Sequence, residues 1–195
     1  MHYAIGKSIA KERFLSNDFI LGSLAPDVNK NSGTAKELTH FMIKRKDGEH
    51  DVFPDQFIKK YANYKNDDFV KGYYAHLISD EIWLKNVYGK YIVGLSPSEK
   101  KKALQAFYED FRNYNGILVE KFNLQPFNFR NQQNYVVDEI NSEDLPSLIS
   151  DLNADFIKPP KSSPSLLQEN DIYGYINDSI NSFLNIMDSY TKFGF

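Results

Sequence analysis

Residues 72–83 read GYYAHLISDEIW, and they sit in a stretch whose apolar residues recur at helical spacing. Turning 100° per residue from Phe69 puts Phe69, Tyr73, Leu77, Leu84 and Val87 on one face. His76 and Asp80 emerge from that same face. As i,i+4 partners they stack one turn apart on a surface that should be buried. An unpaired carboxylate there costs several kcal/mol even after relaxation. It therefore calls for a cation, a strong hydrogen-bond network or a metal ion. A plain His–Asp hydrogen-bonded pair that ties the core to its neighbour is the simpler alternative.

The helical period extends in both directions. Residues 2–15 place His2, Ile5, Gly6 and Ile9 on one face. Asn17 or Asp18 is positioned to cap a short apolar helix, FILGSLA, which Pro26 stops. Asp27 then falls on a rigid turn just beyond a buried helix end. Residues 28–38 read as loop, His40 opens the next ordered stretch, and KDGEHD is a turn. Pro54 suits the first turn of a helix to about Tyr64, and the key helix spans about Asp67 to Tyr88. Ser96-Pro97-Ser98-Glu99 is a capping box that opens a long helix, which Gly116 is expected to kink. Leu145, Leu148, Ile149 and Leu152 mark a shorter helix, KPPKSSPS a surface loop, and residues 170–191 a last amphipathic helix. No strand pair, repeat or dividing linker is evident. The expectation is a single all-α domain over residues 1–195, a multi-helix bundle.

Composition excludes several function classes. Lysine and arginine total 23 against 26 acidic residues, so no broad basic surface for nucleic acid is expected. The short runs Lys44–Lys46 and Lys100–Lys102 read as solvated faces. The absence of cysteine removes disulfides, thiolate metal sites and a cysteine nucleophile. No segment approaches the roughly 18 consecutive apolar residues of a membrane span. The first residues carry no apolar signal core, so a cytoplasmic location is the expectation.

Four histidines are present, and His2, His40 and His76 have neighbours that suggest the interior. With Asp27 and Asp80 they make five nitrogen and oxygen donors from four segments. Zinc accepts such mixed sets, and helices of a bundle can aim distant residues at one point.

An N-terminal helical histidine, then FILGSLAPD, THF and GYYAHLISDEIW, resembles the zinc-dependent phospholipase C family, which shares an all-helical superfamily with single-strand-specific zinc nucleases. The likeness covers roughly residues 1–90. It implies that Asp27, His40, His76 and Asp80 form a zinc-binding group, with Asp80 shared between two ions and His2 serving the second. It also implies that Asp27 orients or deprotonates the attacking water. The family's further site uses two histidines and a glutamate downstream, yet no histidine follows His76. One zinc ion is therefore expected, a second stays open, and a three-ion centre is not expected. The implied function is zinc-dependent phosphodiester hydrolysis by metal-activated water, with a small phosphoester or a phospholipid head group as the partner.

Two other readings compete. The reduced site could be purely structural, holding four segments of a non-catalytic helical domain together. Alternatively, His50-Asp51 could be the dyad of an HD-type metal phosphohydrolase, although it lies in a hydrophilic, turn-like stretch. Trp83 is expected to pack beside the site.

Overall fold

The computed structural model describes residues 1–129, 134–157 and 163–193, with residues 190–193 described by backbone alone. Helix α1 (His2–Arg13) ends where Phe14 takes a left-handed conformation, φ 54°, and turns the chain into α2 (Asn17–Gly22). Ser16 occupies the N-cap position of α2, without a side-chain capping bond, so Asn17 and Asp18 lie inside the first turn, contrary to expectation. Asp18 instead accepts a hydrogen bond from the Tyr135 hydroxyl at 2.9 Å.

A 3-10 turn, Ala25–Val28, follows, with Pro26 pre-setting its backbone. Residues 28–38, expected as loop, contain two single-turn helices, α3 (Asn29–Ser32) and α4 (Lys36–Thr39). The chain also forms a two-stranded antiparallel hairpin that the sequence reading did not anticipate. Met42–Lys44 (β1) pairs with His50–Val52 (β2), with Ile43 opposite Asp51. Each strand is only three residues long, too short for alternation to stand out.

Helix α5 (Pro54–Lys60) leads through a 3-10 turn to α6 (Asp68–Ile82). The Asp67 carboxylate caps α6 by accepting from the Val70 amide at 3.1 Å. The helix continues as a π-helical segment, Trp83–Tyr88, and a last turn, α7 (Gly89–Tyr91). The capping box at Ser96 opens α8 (Pro97–Lys121), which runs through Gly116 without a break. Helices α9 (Leu145–Asp155) and α10 (Glu169–Phe193) complete the bundle. Part of the KPPKSSPS stretch, residues 158–162, lies outside the described residues. The architecture is mostly helical, and among the described residues no helix is long and apolar enough to cross a membrane.

Helix α6 runs through the middle of the core. Phe69, Tyr73 and Leu77 are fully buried on it, among Ile9, Phe19, Leu21 and Phe57. Tyr73 stacks on Phe57 with ring centroids 4.6 Å apart. Trp83 packs edge-on against Phe107, Phe111 and Tyr175.

Two buried carboxylates fasten the outer segments. Glu139 accepts from Lys60 and from the Tyr61 hydroxyl, each at 2.6 Å. Asp110 on α8 accepts from the amides of Ser165, Leu166 and Leu167 at 2.5–2.9 Å. Burial alone would raise the Asp110 carboxyl, but these amides hold it below its usual range. Removing a partner from buried donors costs about 1–3 kcal/mol, more for a charged acceptor. Asp110→Ala is therefore expected to lower unfolding free energy by about 3 kcal/mol in a urea titration.

Candidate metal centre

All five residues singled out in the sequence lie together. His2 comes from the first turn of α1 and Asp27 from the 3-10 turn. His40 lies just after α4, and His76 and Asp80 project from α6. The Nε2 atom of His2 is 3.2 Å from Oδ1 of Asp80. On the other side of that carboxylate, Oδ2 lies 3.7 Å from Nε2 of His40 and 3.7 Å from Nε2 of His76. Nε2 of His40 is also 3.7 Å from Oδ1 of Asp27. The His2 and His76 rings stack with centroids 3.8 Å apart.

Each imidazole is fixed through its other nitrogen. Nδ1 of His76 is 2.9 Å from the Ser23 carbonyl, which can only accept, so Nδ1 carries the proton. The Thr39 hydroxyl donates to the Lys36 carbonyl and so accepts from Nδ1 of His40 at 2.8 Å. Tyr73 holds the Thr39 backbone by donating to its carbonyl at 2.5 Å. The Ser79 hydroxyl donates to the His76 carbonyl at 2.7 Å, leaving it to accept from Nδ1 of His2 at 3.0 Å. The three Nε2 atoms thus face two carboxylates, that of His2 within hydrogen-bond reach of Asp80. Separations of 3.7 Å are too long for hydrogen bonds, and Nε2 of both His40 and His76 is buried without a hydrogen-bond partner.

The electrostatics point the same way. Burial lowers the His76 imidazole well below its usual range, the neighbouring His2 ring adds to this, and His76 stays neutral. Burial opposes ionisation of Asp80, but the surrounding imidazoles outweigh it and keep the carboxyl well below its usual range. Asp27 is likewise depressed against its burial, by His40 and by Lys30, whose Nζ is 2.8 Å away. Among the described residues no lysine or arginine pairs with Asp80. Buried Nε2 atoms without a partner, beside a carboxylate that no lysine or arginine balances, are costly.

A divalent ion fits this donor set. Two ligands each about 2.1 Å from zinc stand about 3.4 Å apart at the tetrahedral angle. One atom each of His40, His76 and Asp80 lie within 4.8 Å of one another, and so do those of His2, Asp27 and His76. The His40 and His76 side chains are 1% and 0% exposed, whereas Asp27 keeps 20% and His2 and Asp80 keep 13%. The floor of the cluster is closed and one side is open.

Several supporting residues carried no sequence signal. Ser23 acts through its backbone carbonyl, which no side-chain pattern reveals. Thr39 stands inside the THF motif and Ser79 between the two candidate ligands of α6, but neither is a ligand type. Tyr175 of α10 brings its phenol against Ser79, and burial, then the Asp80 charge, raises that phenol above its usual range. Groups that orient a ligand histidine are typically worth 10–100-fold in metal affinity. Ser79→Ala is expected to weaken zinc binding by about that factor, measured by competition with a chromogenic chelator.

His50 and Asp51 lie on β2 and face other partners. His50 Nε2 is 3.5 Å from Glu37, and Asp51 is 3.2 Å from Arg45. Neither belongs to the histidine–aspartate cluster. Comparison with known proteins found no matching family model, no similar curated protein and no similar solved structure.

Proposed function

We propose that this protein is a metal-dependent phosphoester hydrolase with a reduced, phospholipase C-like ligand set on an all-helical bundle of that type. The observation that carries the reading is the convergence of three Nδ1-anchored imidazoles on Asp27 and Asp80, with one side open to solvent. A purely structural zinc site is normally closed by four protein ligands, whereas catalytic sites keep a position for water or substrate. Zinc, when bound, supplies Lewis-acid charge for a phosphoryl oxygen and acidifies water toward neutrality.

The protein's own residues then divide the work. His40, His76 and Asp80 form the holding group, and their anchors at Thr39, Ser23 and the α6 backbone keep them from turning. His2, fixed by Ser79, approaches the opposite oxygen of Asp80, where a second ion would find its ligands. Asp27 is ionised and already accepts from Lys30. A carboxylate held in that state is a weak base, so of the two roles implied for it, orienting water fits better than deprotonating it.

The absence of any histidine after His76 favours the competing, structural reading. The discriminating experiment uses untagged protein purified without added metal. Its metal content is measured, and hydrolysis is then assayed on a chromogenic phosphodiester, a phospholipid and single-stranded DNA. Turnover that a chelator abolishes and zinc restores is expected. Asp27→Asn should lower that turnover at least tenfold. Stoichiometric zinc without metal-dependent turnover on any of the three would assign the site a structural role.

A further inference from the structure

A cavity of about 220 Å³ opens beside the cluster, and His2 and Asp27 form part of its wall. Anything that fills it has one end against the candidate ligands. Much of the rest of the wall comes from α8 and α9, which the motifs do not reach, joined by Leu24 from the FILGSLAPD stretch. Leu24, Phe111, Leu118, Leu148, Leu152 and Phe156 make it largely apolar.

The polar groups at its edge are already engaged. Asp151 accepts from the Asn31 amide at 2.7 Å and Asp155 from the Asn115 amide at 3.2 Å. Lys30 is paired with Asp27 at 2.8 Å. Lys30 balances Asp27, whereas the amides satisfy Asp151 and Asp155 without neutralising them, so an anionic guest must keep its charge away from that rim. Apolar area is what the cavity offers, with the anionic end of a ligand directed to the cluster.

Volume decides the size of the guest. A cavity of about 150 Å³ lined by aliphatic and aromatic side chains takes up one benzene. The space here suits one ring with a few further atoms and is too small for two acyl chains.

Resting on the hydrolase reading above, we propose that this cavity is the subsite for the organic group of the substrate. The ester it takes is then a phosphoester of one compact, ring-sized apolar alcohol or phenol. Hydrolysis forms a P–O bond from water and breaks the P–O bond to that alcohol, which leaves carrying a proton from the water. Nothing is oxidised or reduced.

The test has two arms, so that the cavity and the metal site can fail separately. In the first, benzyl alcohol is titrated into metal-free protein and the methyl resonances of Leu118, Leu148 and Leu152 are followed by NMR. Saturable shifts confined to this wall are expected. Leu152→Trp, which fills the space from a half-buried position, should abolish them, and Leu148→Phe should weaken them. Thermal melts confirm that each variant is folded. In the second arm, phenylphosphonate and methylphosphonate are titrated calorimetrically into zinc-loaded protein.

Burying a ring in place of a methyl group should tighten binding by about 10–100-fold. Leu152→Trp should remove that preference, so that the two phosphonates bind alike. If both phosphonates bind equally, the subsite is refuted while the hydrolase reading stands. If benzyl alcohol fails to shift the wall, the cavity admits no ring and the inference falls with it. Shifts in the first arm with no binding of either phosphonate would refute the substrate class and count against the hydrolase reading as well.

Discussion

Zinc at a hundred times its dissociation constant is expected to raise the melting temperature of the metal-free protein by roughly 5–11 °C. An ion that binds only the folded state stabilises it by about 2.7 kcal/mol at that saturation. For a chain of this size each kcal/mol moves the transition by about 2–4 °C. The folded state alone brings the donors together, since they come from four segments between His2 and Asp80. A bound zinc ion would also relieve a definite cost, because two buried Nε2 atoms have no hydrogen-bond partner. Scanning calorimetry with zinc, and again with a chelator, measures the shift.

His76→Ala should remove nearly all of that shift. His76 is the residue common to both groupings of donors, so its loss affects either position an ion could take. The variant also leaves the Ser23 carbonyl without its donor, which costs about 1–3 kcal/mol in the metal-free protein. A His–Asp pair that merely fastened the core would give the second effect without the first. An identical melting temperature with zinc and with chelator would exclude metal from the native fold.

The fold and the cluster were legible in the sequence to different depths. Helix α6 and the capping box at Ser96 could be read because period and cap chemistry are local. His76 and Asp80 stood out because a polar pair on an apolar face contradicts that period. The β1–β2 hairpin could not be read in this way. Its register depends on a turn in which the Arg45 amide donates to the Glu49 carbonyl at 2.7 Å and Gly48 takes φ 88°. The anchors of the imidazoles were hidden for another reason. Ser23 contributes a carbonyl that every residue has, and Ser79 and Thr39 act through hydroxyls whose direction depends on packing. The cavity wall was equally invisible, since Leu148 and Leu152 read only as apolar positions of their own helix.

Gly72→Ala is expected to destabilise the protein by at least about 2–3 kcal/mol, although alanine is the better helix former by about 1 kcal/mol. Helices α2 and α6 meet glycine against backbone. A Cβ on Gly72 would lie 2.0 Å from the Phe19 carbonyl oxygen and 2.8 Å from the Ser23 amide, and one on Gly22 would lie 2.1 Å from the Phe69 carbonyl oxygen. Backbone cannot turn aside as a side chain can, so the two helices must separate, and overpacking of this kind costs about 1–3 kcal/mol or more. The separation also reaches the cluster. Ser23 lies at the end of α2, and its carbonyl orients His76 across this same contact at 2.9 Å. Zinc affinity should therefore fall together with stability. Leu77→Ala, one residue beyond His76, provides the comparison. It should cost about 2–5 kcal/mol by opening a cavity, yet leave the Ser23–His76 bond and zinc affinity nearly intact. Gly174→Ala in α10, where a Cβ meets no atom within 4 Å, should instead stabilise by up to about 1 kcal/mol. Urea unfolding and chelator competition on the three variants separate close helix approach from general core damage. If Gly72→Ala kept its zinc affinity while losing stability, the α2–α6 contact would not be what sets the His76 ring.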